Sequence, residues 1–395
     1  MSIEDFTEKM KKIQSTLLEF LEDESNSENK YESFVKLVSD SKIINERHKF
    51  EALLKLINSI GNNHHRDHNF ICKIERVLRH FKKDIQKYFT NSEIFEVFDG
   101  NKRIHLFLVE EKVITIDERI FSIITNDKYS RMHYCEYFKP EIKPLLTEEN
   151  IKKYGNDDNS LNDEKFVEEL KKEVEEDFYK KRREGESDDF LCKLIRFNKI
   201  KEFITFAEQT NLSLDNEIKN SIYETNKFLS YASLIEYASF YGSNDIIKYM
   251  KMKGVKLRSD IWYYAIHSMN AELIQYLEDN HVSPPRNEPP SILQKENNYE
   301  LILKESIKCH HNEIASYIID NLMKEGDLQN GIKNKYDGNL YRYSVEYHNY
   351  CFFPANMKYK NMFLYLCEFV YYNLVSLYLS EGNIDINATI KILII

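Results

Sequence analysis

The chain has 395 residues and a formal net charge of −10 at pH 7, with 42% hydrophobic and 30% charged residues. At about 150 residues per domain, this length predicts two or three domains or one long repeat array. The 27 tyrosines and 24 phenylalanines exclude wholesale disorder, and only 10 glycines and 7 prolines disfavour hairpin-rich β folds, which need these residues at turns. The sequence therefore predicts an all-α fold.

The net negative charge also disfavours two classes of partner, nucleic acids and anionic membranes. A general nucleic-acid binder needs a basic face, and so does a protein that docks on an anionic membrane, so we expect neither partner. The start, Met1-Ser2-Ile3-Glu4-Asp5, lacks the basic and apolar regions of a secretory signal. The most apolar stretch, 363–379, is interrupted by Glu368, so no membrane span is expected. The six scattered cysteines contain no C-x-x-C pair, which favours free thiols in the cytoplasm or the nucleus.

Residues 1–150 are predicted to form a helical N-terminal domain. Their apolar residues recur at helical spacing in three stripes, which are Phe34, Leu37 and Val38; then Leu53, Leu54, Ile57 and Ile60; then Ile71, Ile74, Leu78 and Phe81. Polar segments separate these stripes. Pro140 and Pro144 are expected to close the domain.

Residues 151–189 are highly charged and are predicted to form a helical connector. Asn162 or Asp163 is expected to cap a helix whose narrow apolar stripe consists of Phe166, Leu170, Val174 and Phe178. The basic run 180–183 follows acidic residues, so we interpret it as the solvated end of this helix. A nuclear-localisation signal is the alternative interpretation.

Residues 190–395 contain an internal repeat. A mostly small residue in a first helix is followed eight residues later by a pair of mostly aliphatic residues in a second helix. The five copies start at Ile195, Ala238, Ala265, Ser306 and Leu366, and their aliphatic pairs start at Phe203, Ile246, Leu273, Ile314 and Leu374. The distance from Ile195 to Leu366 corresponds to five periods of about 34 residues, close to the ankyrin period of about 33.

This third segment resembles ankyrin repeats. Ser233-Leu234-Ile235-Glu236-Tyr237-Ala238 stands where that family has its T-P-L-H-x-A turn, and Gly382-Asn383-Ile384-Asp385-Ile386-Asn387-Ala388 is similar to the family's repeat ending. The resemblance implies a solenoid of about five degenerate repeats over 190–395. The chain departs from the pattern at His281 and Leu322, which replace the turn glycine, and over the irregular residues 327–360.

Nearly the whole chain also resembles a group of ankyrin-repeat proteins from parasitic protists that carry a domain of unknown function. The stretches that carry this likeness are Arg47-His48-Lys49, Asn62-Asn63-His64-His65-Arg66, Asn101-Lys102-Arg103-Ile104-His105-Leu106-Phe107-Leu108, Leu234-Ile235-Glu236-Tyr237-Ala238 and Ile307-Lys308-Cys309-His310-His311-Asn312-Glu313. This resemblance implies a fold, but it implies no catalytic activity or ligand.

No motif predicts a cofactor, a metal or a catalytic site. His64, His65 and His68 lack a second pair of ligands nearby in the sequence, and neighbours such as Cys309 and His310 point about 100° apart on a helix. We therefore expect no stoichiometric transition metal at either cluster. The segment Gly326-x4-Gly331 lacks the lysine and hydroxyl of a phosphate-binding loop.

The predicted function is non-enzymatic binding of a protein partner on the concave face of the repeats, whose side chains are free of core packing. The residues predicted for this face are Phe240, Tyr241, Lys256, Leu257, Ser259, His267, Ser268 and Lys308, with Cys309 beside them. Two alternatives remain open, a substrate adaptor of a ubiquitin-ligase-type complex and an enzyme with an unrecognised site.

Overall fold

The computed structural model describes residues 2–25, 27–65, 69–126, 133–155, 160–285, 299–323, 333–355, 357 and 361–381. These residues form 24 α-helices and no β-strand, which confirms the all-α class. No helix among them is both long and apolar enough to cross a bilayer. His68, the segment 326–331 and the predicted repeat ending 382–388 lie outside the residues that are described.

The first thirteen helices run in chain order as follows: α1 Ile3–Leu21, α2 Glu28–Ser41, α3 Arg47–Asn63, α4 Phe70–His80, α5 Lys82–Tyr88, α6 Asn91–Val97, α7 Lys102–Glu110, α8 Glu118–Ile124, α9 Tyr134–Tyr137, α10 Lys139–Ile142, α11 Glu148–Tyr154, α12 Glu164–Lys171 and α13 Phe178–Glu184. The remaining eleven are α14 Phe190–Arg196, α15 Ile200–Thr210, α16 Leu234–Phe240, α17 Asn244–Met252, α18 Ile261–His267, α19 Ala271–Asp279, α20 Glu300–Lys308, α21 Asn312–Tyr317, α22 Lys333–Glu346, α23 Met362–Glu368 and α24 Tyr372–Ser380.

Two compact units divide the chain. Unit 1 joins both ends of the sequence, Met1–Ile74 and Leu257–Ile395, and unit 2 is the continuous segment Glu75–Lys256. The three predicted segments, 1–150, 151–189 and 190–395, are grouped differently, and as autonomous domains they stay predictions.

The core of unit 1 includes the long helix α1. Ser2 caps it by accepting a hydrogen bond from the Asp5 amide, and its buried face is the i, i+3/i+4 stripe of Phe6, Met10, Ile13 and Leu17. This face packs against α2, α24 and the short 3₁₀ turn Tyr350–Phe352. The first 21 residues are therefore part of the core around the C-terminal helices.

Unit 2 contains an interlocked polar core. Arg182 of α13 makes a two-point ion pair with Glu141, at 2.7 and 2.9 Å, and donates to the Tyr137 carbonyl. The Tyr137 hydroxyl in turn donates to the Arg182 carbonyl at 2.7 Å. Because the Arg182 side chain is buried, this reciprocal bonding satisfies a charge that would otherwise be costly to bury.

The predicted connector differs from the structure in one respect. Asp163 caps α12 by accepting from the Lys165 and Phe166 amides, as the sequence predicted. However, the helix ends at Lys171, and a new helix begins only at Phe178, so the predicted continuous stripe is wrong. The acidic run 173–177 lies in the break between the two helices.

One helical hairpin recurs six times in the described residues. In each copy, the second residue after the end of the first helix has a positive φ. The second helix or helical turn begins two residues after that residue. The positive-φ residues are Asn198, Gly242, Met269, His310, His348 and Val370, with φ between 49° and 64°. In five copies the following amide donates to the carbonyl five residues back, and these acceptors are Leu194, Ala238, Ser306, Ser344 and Leu366.

This hairpin sets the repeat register. It confirms the alignment of Ala238, Ser306 and Leu366, whereas the weakest copy aligns on Leu194 and not on the predicted Ile195. It also places a further copy at Ser344, inside the stretch that the sequence marked as irregular. His281 adopts the left-handed conformation without glycine, at φ 53°. Leu322 instead ends a π-helical turn, Ile318–Leu322.

Candidate functional site

A groove of about 540 Å³ lies within unit 1. It is lined by α1, by α19 and α21, and by the left-handed turns that precede these last two helices. Its apolar lining includes Leu18 and Ile274, which are buried, and Met269 and Tyr317, which remain 41% and 37% exposed. Exposed apolar side chains in a concavity are typical of a surface that binds another molecule.

Four glutamates surround this apolar lining, Glu19 in α1, Glu22 directly after α1, Glu278 in α19 and Glu313 in α21. Among the described residues, no lysine or arginine lines the groove. Glu278 accepts a hydrogen bond from the Tyr317 hydroxyl at 3.1 Å, whereas Glu19 and Glu313 form no ion pair within the described chain. The groove is therefore strongly acidic and two of its charges are available to a ligand.

Buried histidines lie beneath the groove. His310 accepts from the Gln14 amide through Nδ1 at 3.1 Å, and its Nε2 lies 3.2 Å from the Ser59 hydroxyl. The Ser59 hydroxyl donates to the Tyr347 carbonyl, so its oxygen accepts from His310. His64 donates from Nδ1 to the Cys309 carbonyl at 2.9 Å, and its Nε2 lies 3.2 Å from Glu22.

His311 differs from its neighbours because it has no hydrogen-bond partner. Its side chain is 3% exposed and lines the groove, yet neither ring nitrogen has a partner in the described structure. Burial lowers the pKa of His311 well below its usual value, and the nearby His64, at a ring distance of 4.6 Å, lowers it further. A neutral imidazole with an unused donor and an unused acceptor therefore lies buried in the wall of the acidic groove.

The predicted binding face is only partly accessible. Phe240, His267 and Ser268 are 2%, 2% and 6% exposed, so in this structure they offer little surface to a partner, contrary to the sequence expectation. Tyr241, Leu257, Ser259 and Lys308 are half-buried, and Lys256 is exposed. For these residues a role in binding stays a prediction. Cys309 is completely buried.

His267 is buried because other parts of unit 1 supply its partners. Its Nε2 lies 2.7 Å from the Glu305 carboxylate, and the Cys309 sulfur lies 3.5 Å from its Nδ1. Glu305 and Cys309 belong to α20 and the turn after it, one repeat further along the chain. His267, which the sequence predicted to lie on the surface, is therefore covered by the next repeat.

The groove itself was missed from the sequence. Its α1 residues are separated by about 250 to 300 positions from the α19 and α21 residues, and no local spacing links them. The only signal was the polar run 309–313 next to the aliphatic pair at Ile314. No protein-family model, no curated protein and no solved structure matches this chain.

Proposed function

We propose that this chain is a non-enzymatic binding protein that holds a basic, partly apolar segment of a protein partner in the groove of unit 1. The observation that carries the proposal is the combination of an apolar lining with four glutamates and no lysine or arginine among the described lining residues. An acidic groove attracts cationic segments and repels anionic ones, which gives specificity as well as a faster encounter.

The dimensions of the groove suit side chains of such a segment. Its volume of about 540 Å³ falls within the range of roughly 300–1,000 Å³ that is typical of ligand pockets. Met269 and Tyr317 offer an adaptable thioether and an aromatic ring, and both residue types are enriched in protein interfaces. We expect apolar side chains of the partner to contact these two residues while lysine or arginine reaches Glu19 and Glu313.

We expect a ring nitrogen of His311 to hydrogen-bond the ligand when binding shifts the groove wall enough to expose it. A buried polar group without a partner costs about 1–3 kcal/mol, and a ligand that supplies a donor or an acceptor removes this cost. The recurring hairpin and its period support an ankyrin-like arrangement of the repeats, in which the groove is formed by second helices together with α1. In this proposal the binding surface is therefore not the concave face predicted from the sequence.

The test uses three fluorescent peptides of equal length, one of lysine and leucine, one of glutamate and leucine, and one of lysine and serine. Fluorescence anisotropy with the full-length protein should show saturable binding of the lysine–leucine peptide, weaker binding of the lysine–serine peptide and none of the acidic peptide. Raising the salt concentration should weaken the binding, because exposed charges are screened.

Charge reversal in the groove locates the site. Glu19→Lys combined with Glu313→Lys should weaken binding of the lysine–leucine peptide at least tenfold, because two attractive charges become repulsive. Glu32→Lys combined with Asp40→Lys makes the same change of charge on the exposed surface of α2 and should leave affinity nearly unchanged. Equal weakening by both pairs, or equal binding of the acidic peptide, would contradict the proposal.

A further inference from the structure

A second cluster lies below the surface of unit 1, and it does not depend on the proposed binding groove. It consists of His267 at the end of α18, Glu305 in α20 and Cys309 in the turn after α20. One ligand atom from each residue lies within 4.8 Å of the other two. The structure assigns a metal site to these three side chains, and we propose that it binds a zinc ion.

The donor set is one that zinc prefers. Thiolate sulfur, imidazole nitrogen and carboxylate oxygen are its usual protein ligands, and three of them leave one position of the tetrahedron for a water molecule. Cys309 has no second ligand pair nearby along the chain, so the sequence predicted no metal here. The fold supplies the missing ligands from α18, the first helix of the preceding repeat, and from Glu305 in α20.

The ion enters this site only when the imidazole of His267 turns. The Cys309 sulfur lies 3.5 Å from His267 Nδ1 and 3.6 Å from Nε2, so it is over the face of the ring, whereas a metal binds a ring nitrogen in the plane of the ring. Tetrahedral zinc, with Zn–S near 2.3 Å and Zn–N near 2.05 Å, requires about 3.6 Å between the sulfur and Nε2. The Glu305 oxygen lies only 2.7 Å from the same nitrogen, because a hydrogen bond joins them. Zinc requires about 3.4 Å there, so the nitrogen and the oxygen move apart by about 0.7 Å when the ion enters.

The charges of a bound site also balance. The Glu305 carboxylate accepts hydrogen bonds from His267 at 2.7 Å and from the Lys308 ammonium group at 2.8 Å, and both donors favour its ionised form. Zinc binding forms the Zn–S and Zn–N bonds and releases two protons to solvent, one from the Cys309 thiol and one from the His267 imidazolium, whose Nε2 proton joins it to Glu305 before the ion enters. One thiolate, one carboxylate and a neutral imidazole then neutralise the ion.

Lys308 is a neighbour that opposes a cation. Its ammonium group donates to the Glu305 oxygen at 2.8 Å, and that oxygen also accepts from His267. Because its side chain is 23% exposed, the ammonium group can turn toward solvent when the ion takes its place. Lys308 therefore tunes the affinity of the site.

The test is titration of the full-length, chelator-treated protein with cobalt(II), which reports a thiolate ligand through a sulfur-to-metal charge-transfer band in the near ultraviolet. One equivalent of cobalt should produce this band, and one equivalent of zinc should abolish it. Cys309→Ser should remove the band and His267→Gln should weaken cobalt binding at least tenfold. Lys308→Met should tighten it several-fold.

The control is Cys135→Ser, since Cys135 is also completely buried, and it should retain the full band. If the two ligand variants do not fold, the natural-sequence protein decides the question alone. Absence of a charge-transfer band at saturating cobalt overturns the proposal. So does a band that survives Cys309→Ser, or a cobalt affinity that does not respond to Lys308→Met.

Discussion

Four histidines are buried in a neutral form, and each one makes stability depend on pH. Burial is the main cause of their lowered pKa values, to about 4 for His105 and about 3 for His348, and well below the usual value for His310 and His311. In the unfolded chain the same side chains protonate near pH 6.5. As the pH falls below 6.5, the unfolded state therefore binds protons that the folded state does not bind.

The first prediction is a loss of stability between pH 6.5 and 5. Each buried histidine should lower the free energy of unfolding by about 2 kcal/mol across this window, because one pH unit corresponds to about 1.4 kcal/mol per group. Denaturant titrations at the two pH values measure the loss. His105→Gln should make the loss of unfolding free energy smaller by the contribution of one histidine, about 2 kcal/mol. His48→Gln, at an exposed side chain, should leave the loss unchanged. A loss that is unchanged in His105→Gln would contradict this assignment.

Glu305 makes the stability of the fold depend on pH in a separate, more acidic range. Its folded-state pKa of about 2 lies below its unfolded value of 4.5, so the stability it contributes is present above pH 4.5 and is lost as the pH falls toward 2. The loss between pH 6.5 and 5 therefore reports the histidines and not this carboxylate.

At the scale of elements, the recurring hairpin requires a left-handed residue between its two helices. Glycine adopts this conformation freely, but only one of the six copies has glycine there, at Gly242. Val370 is the least suitable occupant, at φ 59°, because a β-branched side chain crowds the backbone in this region. The side chain is 45% exposed, so little packing compensates for the strain.

The second prediction is that Val370→Gly stabilises the protein. Relief of left-handed strain contributes about 1–2 kcal/mol, and the added freedom of glycine in the unfolded chain offsets up to about 1 kcal/mol of it. The net gain should be about 0.5–1 kcal/mol, seen as a higher midpoint of thermal unfolding. Val370→Ala is the control, because it retains the Cβ atom and should give no comparable gain. A lower midpoint for Val370→Gly would show that packing of the valine matters more than its backbone.

The sequence predicted the spacing of the repeats better than it predicted their turns and which side chains other helices bury. The repeat register was readable because small and aliphatic residues recur, and the predicted pairs Ile246-Ile247 and Leu273-Ile274 are indeed buried. The left-handed turns were not readable, since Asn198 and Met269 do not mark them as glycine would. Burial of His267 and the groove of unit 1 were not readable either, because both depend on residues contributed by other helices.

For the molecule as a whole, the important feature is that unit 1 uses both ends of the chain. Gln14 of α1 is completely buried and donates to His310 and, at 2.7 Å, to the Asn349 side chain. Its own side-chain oxygen accepts from the Tyr350 amide at 2.7 Å. Because every partner of this amide lies in the C-terminal half of the sequence, α1 also completes the hydrogen bonding of two repeat turns.

The last prediction is that residues 190–395, the segment predicted as the ankyrin domain, do not fold cooperatively alone. The fragment lacks α1, whose side chains Phe6, Met10, Ile13 and Leu17 are completely buried in the full chain. At about 1.5–3 kcal/mol for each buried side chain, their loss removes about 6–12 kcal/mol, comparable to the 5–15 kcal/mol by which whole domains are stable. We expect helical circular dichroism without a sharp thermal transition. Residues 75–256, which form unit 2, are the matched control and should unfold in one cooperative step. A cooperative transition of 190–395 at the midpoint of the full chain would show that the repeats do not need α1.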